Sequence, residues 1–319
     1  MRTSAAQTVR DLPVLGVAVV WGSSFLAVKN VATPDSVVAM LVLRFGLVLP
    51  LLALFTWRAL LRLTIREWLG GAVLGLVLGA IFLLETYGAV HTSATNAGLI
   101  ISLTMVFTPL AESALSRTAL PRAFVAAAGL SVLGVALLTG GGGFRVPGLG
   151  DLLVLGAAVV RTVNVLTVSR LRVIKGTDSS ALTWVQLATA TLVFAVVAPF
   201  VGPSPVSLAA SYGAADWALL LHLSLLCTLF AFLVQTWAVR ATSPSRVSLL
   251  LGTEPLWAAV FGITLAGDHL GPLALSGALL VLVGTEWGRR SAAPTPEPTP
   301  VPVPVPVTPG QREPALDRR

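Results

Sequence analysis

The sequence predicts an all-α membrane protein of ten transmembrane helices arranged as two inverted five-helix repeats. Three observations carry that expectation. Hydrophobic residues make up 55% of the 319 and charged residues 11%, against roughly 25% charged in soluble domains. The chain also repeats itself at half-length, and its basic residues collect at alternate ends of the apolar segments.

The repeat is plainest in Leu15–Leu26, LGVAVVWGSSFL, and Leu155–Leu166, LGAAVVRTVNVL, which lie 140 residues apart. They share Leu, Gly, Ala, Val, Val and Leu at matching positions. A second match follows at an offset of 150. Phe82-Leu83 and Thr86-Tyr87 fall on Phe232-Leu233 and Thr236-Trp237, Thr92-Ser93 on Thr242-Ser243, and Leu120 and Gly134 on Leu270 and Gly284. Such repetition in apolar segments describes two similar units.

A spanning helix needs about 20 mostly apolar residues. Ten segments qualify, five per unit: 12–31, 36–57, 69–90, 95–116 and 122–140, then 150–170, 180–201, 216–239, 246–266 and 271–288. The units are therefore 12–140 and 150–288. Connections hold Pro, Gly, Asp and Arg, as in Thr33-Pro34-Asp35 and Gly140–Gly143, and the longest is Gly202–Asp216. Arg2 and Arg10, then Arg58, Arg62 and Arg66, Arg117 and Arg122, Arg170, Arg172 and Lys175, Arg240 and Arg246, and Arg289 and Arg290 all fall on one side, leaving only Arg145 in the loops of the other. The positive-inside rule puts both termini in the cytoplasm. Five helices is an odd number, so the second unit enters the bilayer inverted, a pattern typical of secondary transporters. The opening stretch resembles a signal peptide but has no small-residue cleavage site, and its repetition later makes it a retained helix. Residues 291–319 include PTPEPTPVPVPVPVTPG. Alternating proline supports neither helix nor sheet, so this is an extended cytoplasmic tail.

The net charge of +7 is scattered singly between apolar runs, which excludes a nucleic-acid face. One cysteine, Cys227, excludes a disulfide framework. No HExxH, Cys/His ligand cluster or paired intramembrane Asp supports a membrane enzyme or a metal site. No phosphate loop supports an ATP-driven pump, and no cofactor is implied. A membrane-embedded scaffold or sensor is the alternative to transport, and the proline-rich tail is its only argument.

Gly71, Gly75 and Gly79 make a small-residue stripe on segment three, open to a homodimer seam or, the favoured reading, to packing within the bundle. Pro109 and Pro255 are expected to bend segments four and nine.

Ionisable residues at membrane depth point to function. Arg161 and Glu254 lie midway along segments six and nine, expected to face a shared central cavity as a pair or as two halves of a substrate site. A structural ion pair is the other reading. Arg44 is too deep to reach the interface and is expected to pair with a carboxylate or with backbone carbonyls, a candidate structural ion pair. Glu85 aligns with Gln235 of the second unit, and Glu85 and Glu254 are the candidates for coupling to protons. Trp21 and Trp257 are too deep for interfacial anchors and are expected to line the cavity, with hydrogen-bonding groups from Ser24, Asn96 and Asn164 and a further aromatic face from Trp237. His222 is read as a satisfied packing histidine.

WGSSF at Trp21–Phe25, LRF at Leu43–Phe45, TSATNAGLIISLTMVFTPL at Thr92–Leu110, GDLL at Gly150–Leu153, TEP at Thr253–Pro255 and GDHLGPLALSGALLVLVG at Gly267–Gly284 together resemble the drug/metabolite transporter superfamily, EamA-like branch. The resemblance covers residues 12–288. It implies export, less often uptake, of small metabolites, amino acids or drugs; the preference for Arg over Lys, with abundant Ala, Val, Leu and Gly, suggests a bacterial chain and so the bacterial cytoplasmic membrane. It also implies a central site carried by Trp21, Asn96, Arg161, Asn164, Trp237 and Glu254. The chain departs from the family where Arg161 replaces an aromatic, where Thr118 stands near an expected acidic residue, and where Asp268 replaces Glu. Arg161 argues for an anionic or zwitterionic substrate, or for an internal ion pair.

Overall fold

The computed structural model describes residues 5–117, 119–139, 147–174, 176–241, 247 and 250–291. The Gly140–Gly143 connection, Arg2, Thr118, Arg145, Lys175, Arg246 and residues 292–319 of the tail lie outside that set. Among the described residues every regular element is helical. Backbone in hydrocarbon must satisfy its own hydrogen bonds, and for a single apolar segment only a helix does so. Among the described residues seven stretches are long and apolar enough to cross a bilayer, and Arg122–Leu138 and Pro272–Gly288 are shorter apolar helices. Large apolar side chains such as Leu54, Phe55, Leu192 and Phe200 stand exposed on the outer surface. The chain is a multi-pass membrane protein.

Helices α1 (Ala5–Val31), α2 (Val37–Leu60) and α3 (Ile65–His91) take up segments one to three. Thr64 starts α3 with a reciprocal cap: its hydroxyl accepts from the Glu67 N–H, and the Glu67 carboxylate accepts from the Thr64 N–H. Segment four is expected to be continuous but divides into α4 (Ala94–Ile101) and α5 (Thr104–Ser116). Then come α6 (Arg122–Thr139), α7 (Leu149–Arg170) and α8 (Ser179–Val201), the last capped by Asp178. A short α9 (Pro205–Ser211), started by Ser204, occupies the long loop and is not foreseen from sequence.

Segment eight opens as α10 (Ala214–Leu221), widens into a π-helix at His222–Phe230, and closes as α11 (Ala231–Ala241). The Thr228 hydroxyl donates to Leu223 O at 2.9 Å, five residues back, in the register of the widened turn. In segment nine, α12 (Glu254–Thr264) begins after a turn at Gly252-Thr253, and α13 (Pro272–Ser291) ends the described chain.

The breaks in segments four and nine fall 150 residues apart. Leu103 N–H reaches back to Ile100 O and Thr253 N–H to Leu250 O, and Val106 and Leu256 repeat the short step to Leu103 O and Thr253 O. Hydroxyls of Ser102, Thr104 and Thr253 donate to carbonyls of the turn that precedes each restart. The prolines therefore act differently from a simple bend. Pro255 sits in the first turn of α12, where a missing N–H costs nothing. Pro109 lies within α5, after the break.

In packing, α6 lies against α13, α3 against α7 and α8, α2 against α8, and α12 against α1 and α4. The Gly71, Gly75 and Gly79 stripe is the α3–α8 seam inside one chain: a Cβ on Gly75 would stand 2.7 Å from Gln186 O. Lys29 at the end of α1 donates to Thr92 O at the end of α3, and Thr92 donates to Asp151 in the first turn of α7. The C-terminal ends of α1 and α3 and the N-terminal end of α7 thus meet at one end of the bundle.

Candidate functional site

Charged groups inside an apolar bundle must find partners. Arg161, midway along α7, donates from Nη2 to Glu85 Oε2 of α3 at 2.8 Å. The side chains are 31% and 15% exposed, so the pair is partly accessible rather than sealed in the core. Glu254 opens α12 and lies in electrostatic reach of both Arg161 and Glu85. A carboxylate is favoured at a helix N-terminus, where free N–H groups point at it.

Arg44 is buried in α2, within electrostatic reach of Glu85. Among the described residues it makes a hydrogen bond from Nε to Thr228 Oγ1 at 3.3 Å, and its guanidinium lies 5.1 Å from the centre of the Phe82 ring and 5.6 Å from that of Phe45. Ring faces and a hydroxyl thus take the direct contacts expected of a carboxylate or backbone carbonyls. Two cations and two carboxylates gather from α2, α3, α7 and α12.

Other expected members have surroundings of their own. Trp21 donates its indole N–H to Cys227 O in the π-helix at 2.8 Å. Asn164 lies three residues beyond Arg161 on α7, and its Oδ1 is buried with no hydrogen-bond partner among the described residues. Trp257 packs on α1 at Gly22, where a Cβ would stand 2.6 Å from Trp257 Cβ. Ser24 spends its hydroxyl on Trp21 O.

Two expected members lie elsewhere. Asn96 donates to Asp151 at the end of the bundle. Trp237 is 43% exposed and borders a shallow apolar hollow with Pro13 and Phe230. His222 is satisfied: Ser23 donates to Val20 O, so the His222 Nε2–H donates to Ser23 Oγ at 2.8 Å. Among the described residues no three His, Cys, Asp or Glu side chains group to hold a metal.

Sequence reasoning missed the end clamp around Asp151. Its carboxylate accepts from Thr92 Oγ1 at 2.5 Å, Asn96 Nδ2 at 3.2 Å and Gly148 N at 3.1 Å. Only the Gly148 contact is local; the others depend on partners more than fifty residues away and leave no sequence spacing to read. Asp151→Ala strands three donors and is expected to cost about 1–3 kcal/mol of stability, read by thermal unfolding in detergent. An unchanged melting temperature would remove the clamp from the account.

The EamA-like transporter family matches this chain twice, at residues 10–140 and 148–286. The chain belongs to that family. This EamA-like protein is 25% identical over 277 residues to an uncharacterized transporter of Archaeoglobus fulgidus, covering 86% of this chain and 83% of the relative. A second uncharacterized transporter of the same organism is 26% identical over 275 residues, covering 83% and 92%. A crystal structure of a protein superposes with a TM-score of 0.60 at 19% identity, over 89% of this chain and 98% of the other. That last likeness concerns the fold alone. The Arg161–Glu85 bond thus joins one matched repeat to the other.

Proposed function

We propose that this EamA-like protein is a secondary transporter that moves a small anionic or zwitterionic solute, most often outward, across the bacterial cytoplasmic membrane. In this reading ten helices form two inverted repeats, 12–140 and 150–288, with both termini in the cytoplasm. The meeting of the ends of α1 and α3 with the start of α7 supports opposed insertion. Breaks at equivalent points of segments four and nine support a site between them, since unwound backbone in a membrane belongs where it borders a cavity.

The observation that carries the reading is the Arg161–Glu85 bond between repeats. A guanidinium has five N–H donors, and Glu85 engages one of its nitrogens. The remaining donors suit a carboxylate or phosphate on the solute, with Asn164 beside them and the Trp21 ring as a wall. Glu254 and Glu85 supply the negative charge that an ammonium group or a proton would neutralise. Alternating access follows when the repeats rock about this point. The cross-repeat bond is released on one side and remade with the solute in place.

The test is a ligand screen by thermal shift on the purified full chain, with Arg161→Ala beside it. A small anion or zwitterion is expected to stabilise the parent and leave the variant unmoved. Equal stabilisation of both would take the site away from Arg161.

A further inference from the structure

The offsets of 140 and 150 residues place Thr162 of α7 opposite Gly22 of α1, and Phe107 of α5 opposite Trp257 of α12. At the α1–α12 contact, Gly22 lets Trp257 close to touching distance. At the equivalent α7–α5 contact the smallest residue is replaced by threonine, and there the helices leave a groove of about 760 Å³ between them. Thr162, Leu166 and Phe107 form its floor, and Leu110, Leu115 and Val163 its exposed rims.

The groove runs along α7 from Val159 to Leu171. At 1.5 Å per residue that is about 18 Å, close to half of the roughly 30 Å hydrocarbon core, the depth of one leaflet. Thr162 and Thr167 turn their hydroxyls onto Ala158 O and Val163 O of their own helix, so the walls ask for an apolar occupant. At one end stands Arg170, exposed, with a single 3.5 Å contact to Ser116 Oγ among the described residues. Arg117 lies next to that serine at the end of α5. An apolar trough one leaflet deep with a guanidinium at its polar end matches an acyl chain joined to a phosphate.

We infer that the α5–α7 groove is a binding site for an anionic phospholipid of the leaflet at the Arg170 end, its chain between the two helices and its phosphate on Arg170. This site lies apart from the solute cluster, because Arg161 and Asn164 fall off the Val159–Val163–Leu166–Arg170 stripe of α7. It stands or falls independently of the transport reading.

The experiment uses the purified full chain with phosphatidylglycerol, phosphatidylcholine or glycerol phosphate. Retained lipid is counted by native mass spectrometry and thermal shift is read beside it. Phosphatidylglycerol is expected to bind and stabilise the parent in preference to phosphatidylcholine, and glycerol phosphate, lacking a chain, to do neither. Arg170→Gln should weaken phosphatidylglycerol about fivefold, to the level of phosphatidylcholine. Ala111→Trp, which fills the groove, should release both lipids; Leu110→Trp on the rim takes its place if that variant fails to fold. Equal binding of the two lipids by the parent, or binding of glycerol phosphate alone, overturns the inference. So does a groove-filled variant that keeps phosphatidylglycerol at parental affinity, since the headgroup would then be held at the surface.

Discussion

Arg161→Ala is expected to lower solute transport by about 10–100-fold while leaving a folded, inserted protein. A hydrogen bond to a charged group is worth about 1.5–3 kcal/mol, and that range corresponds to the stated fold-change. The variant also leaves Glu85 without its 2.8 Å partner. Breaking a fully buried pair costs about 3–5 kcal/mol, and exposed pairs contribute about 0–1 kcal/mol. With side chains 31% and 15% exposed, the loss of stability should fall between, about 1–3 kcal/mol. The double variant Arg161→Ala, Glu85→Ala separates the two roles. Removing both charges should return most of the stability, because no carboxylate is left uncompensated, yet transport should stay low. A double variant that regains both stability and transport, measured by unfolding and by solute flux in proteoliposomes, would make the pair purely structural.

The contrast between Arg161 and Asn96 explains what the sequence can and cannot disclose here. Arg161 is legible because a charge in an apolar helix is rare, and the repeat aligns it with Trp21 of the first unit. Its partner is less legible. Glu85 and Glu254 are both at depth, and only the crossing of α3 and α7 brings Glu85 Oε2 to 2.8 Å while Glu254 stays within electrostatic reach. Asn96 shows the opposite case. Sequence and resemblance both direct it to the centre, but it lies in the first turn of α4, where Asp151 holds it across the end of the bundle. Helix positions followed from apolar length, but the breaks at Ser102-Leu103 and Gly252-Thr253 did not. Each is made by hydroxyls and short backbone steps that cost little in hydropathy. The π-helix is hidden for a different reason: its carbonyl contact with the Trp21 indole is tertiary.

Glu254→Gln should abolish the coupling of transport to a pH gradient and spare downhill exchange. Of the two carboxylates, Glu85 is already engaged by Arg161. Glu254 stands at the first residue of α12, beside the break in segment nine and in reach of that same guanidinium. On the proposed reading it is thus the carboxylate that would exchange a proton when the solute takes over Arg161. Glutamine keeps the shape and the hydrogen-bonding capacity but has no proton to release. One pH unit across the membrane corresponds to 1.36 kcal/mol per proton, a tenfold solute gradient if one proton is exchanged per solute. In proteoliposomes the parent is expected to build a gradient of about that size per pH unit. The Glu254→Gln variant should equilibrate the solute without accumulating it, and Glu85→Ala should lose exchange as well, because the bond between repeats goes with it. Accumulation by Glu254→Gln equal to that of the parent would move the coupling elsewhere.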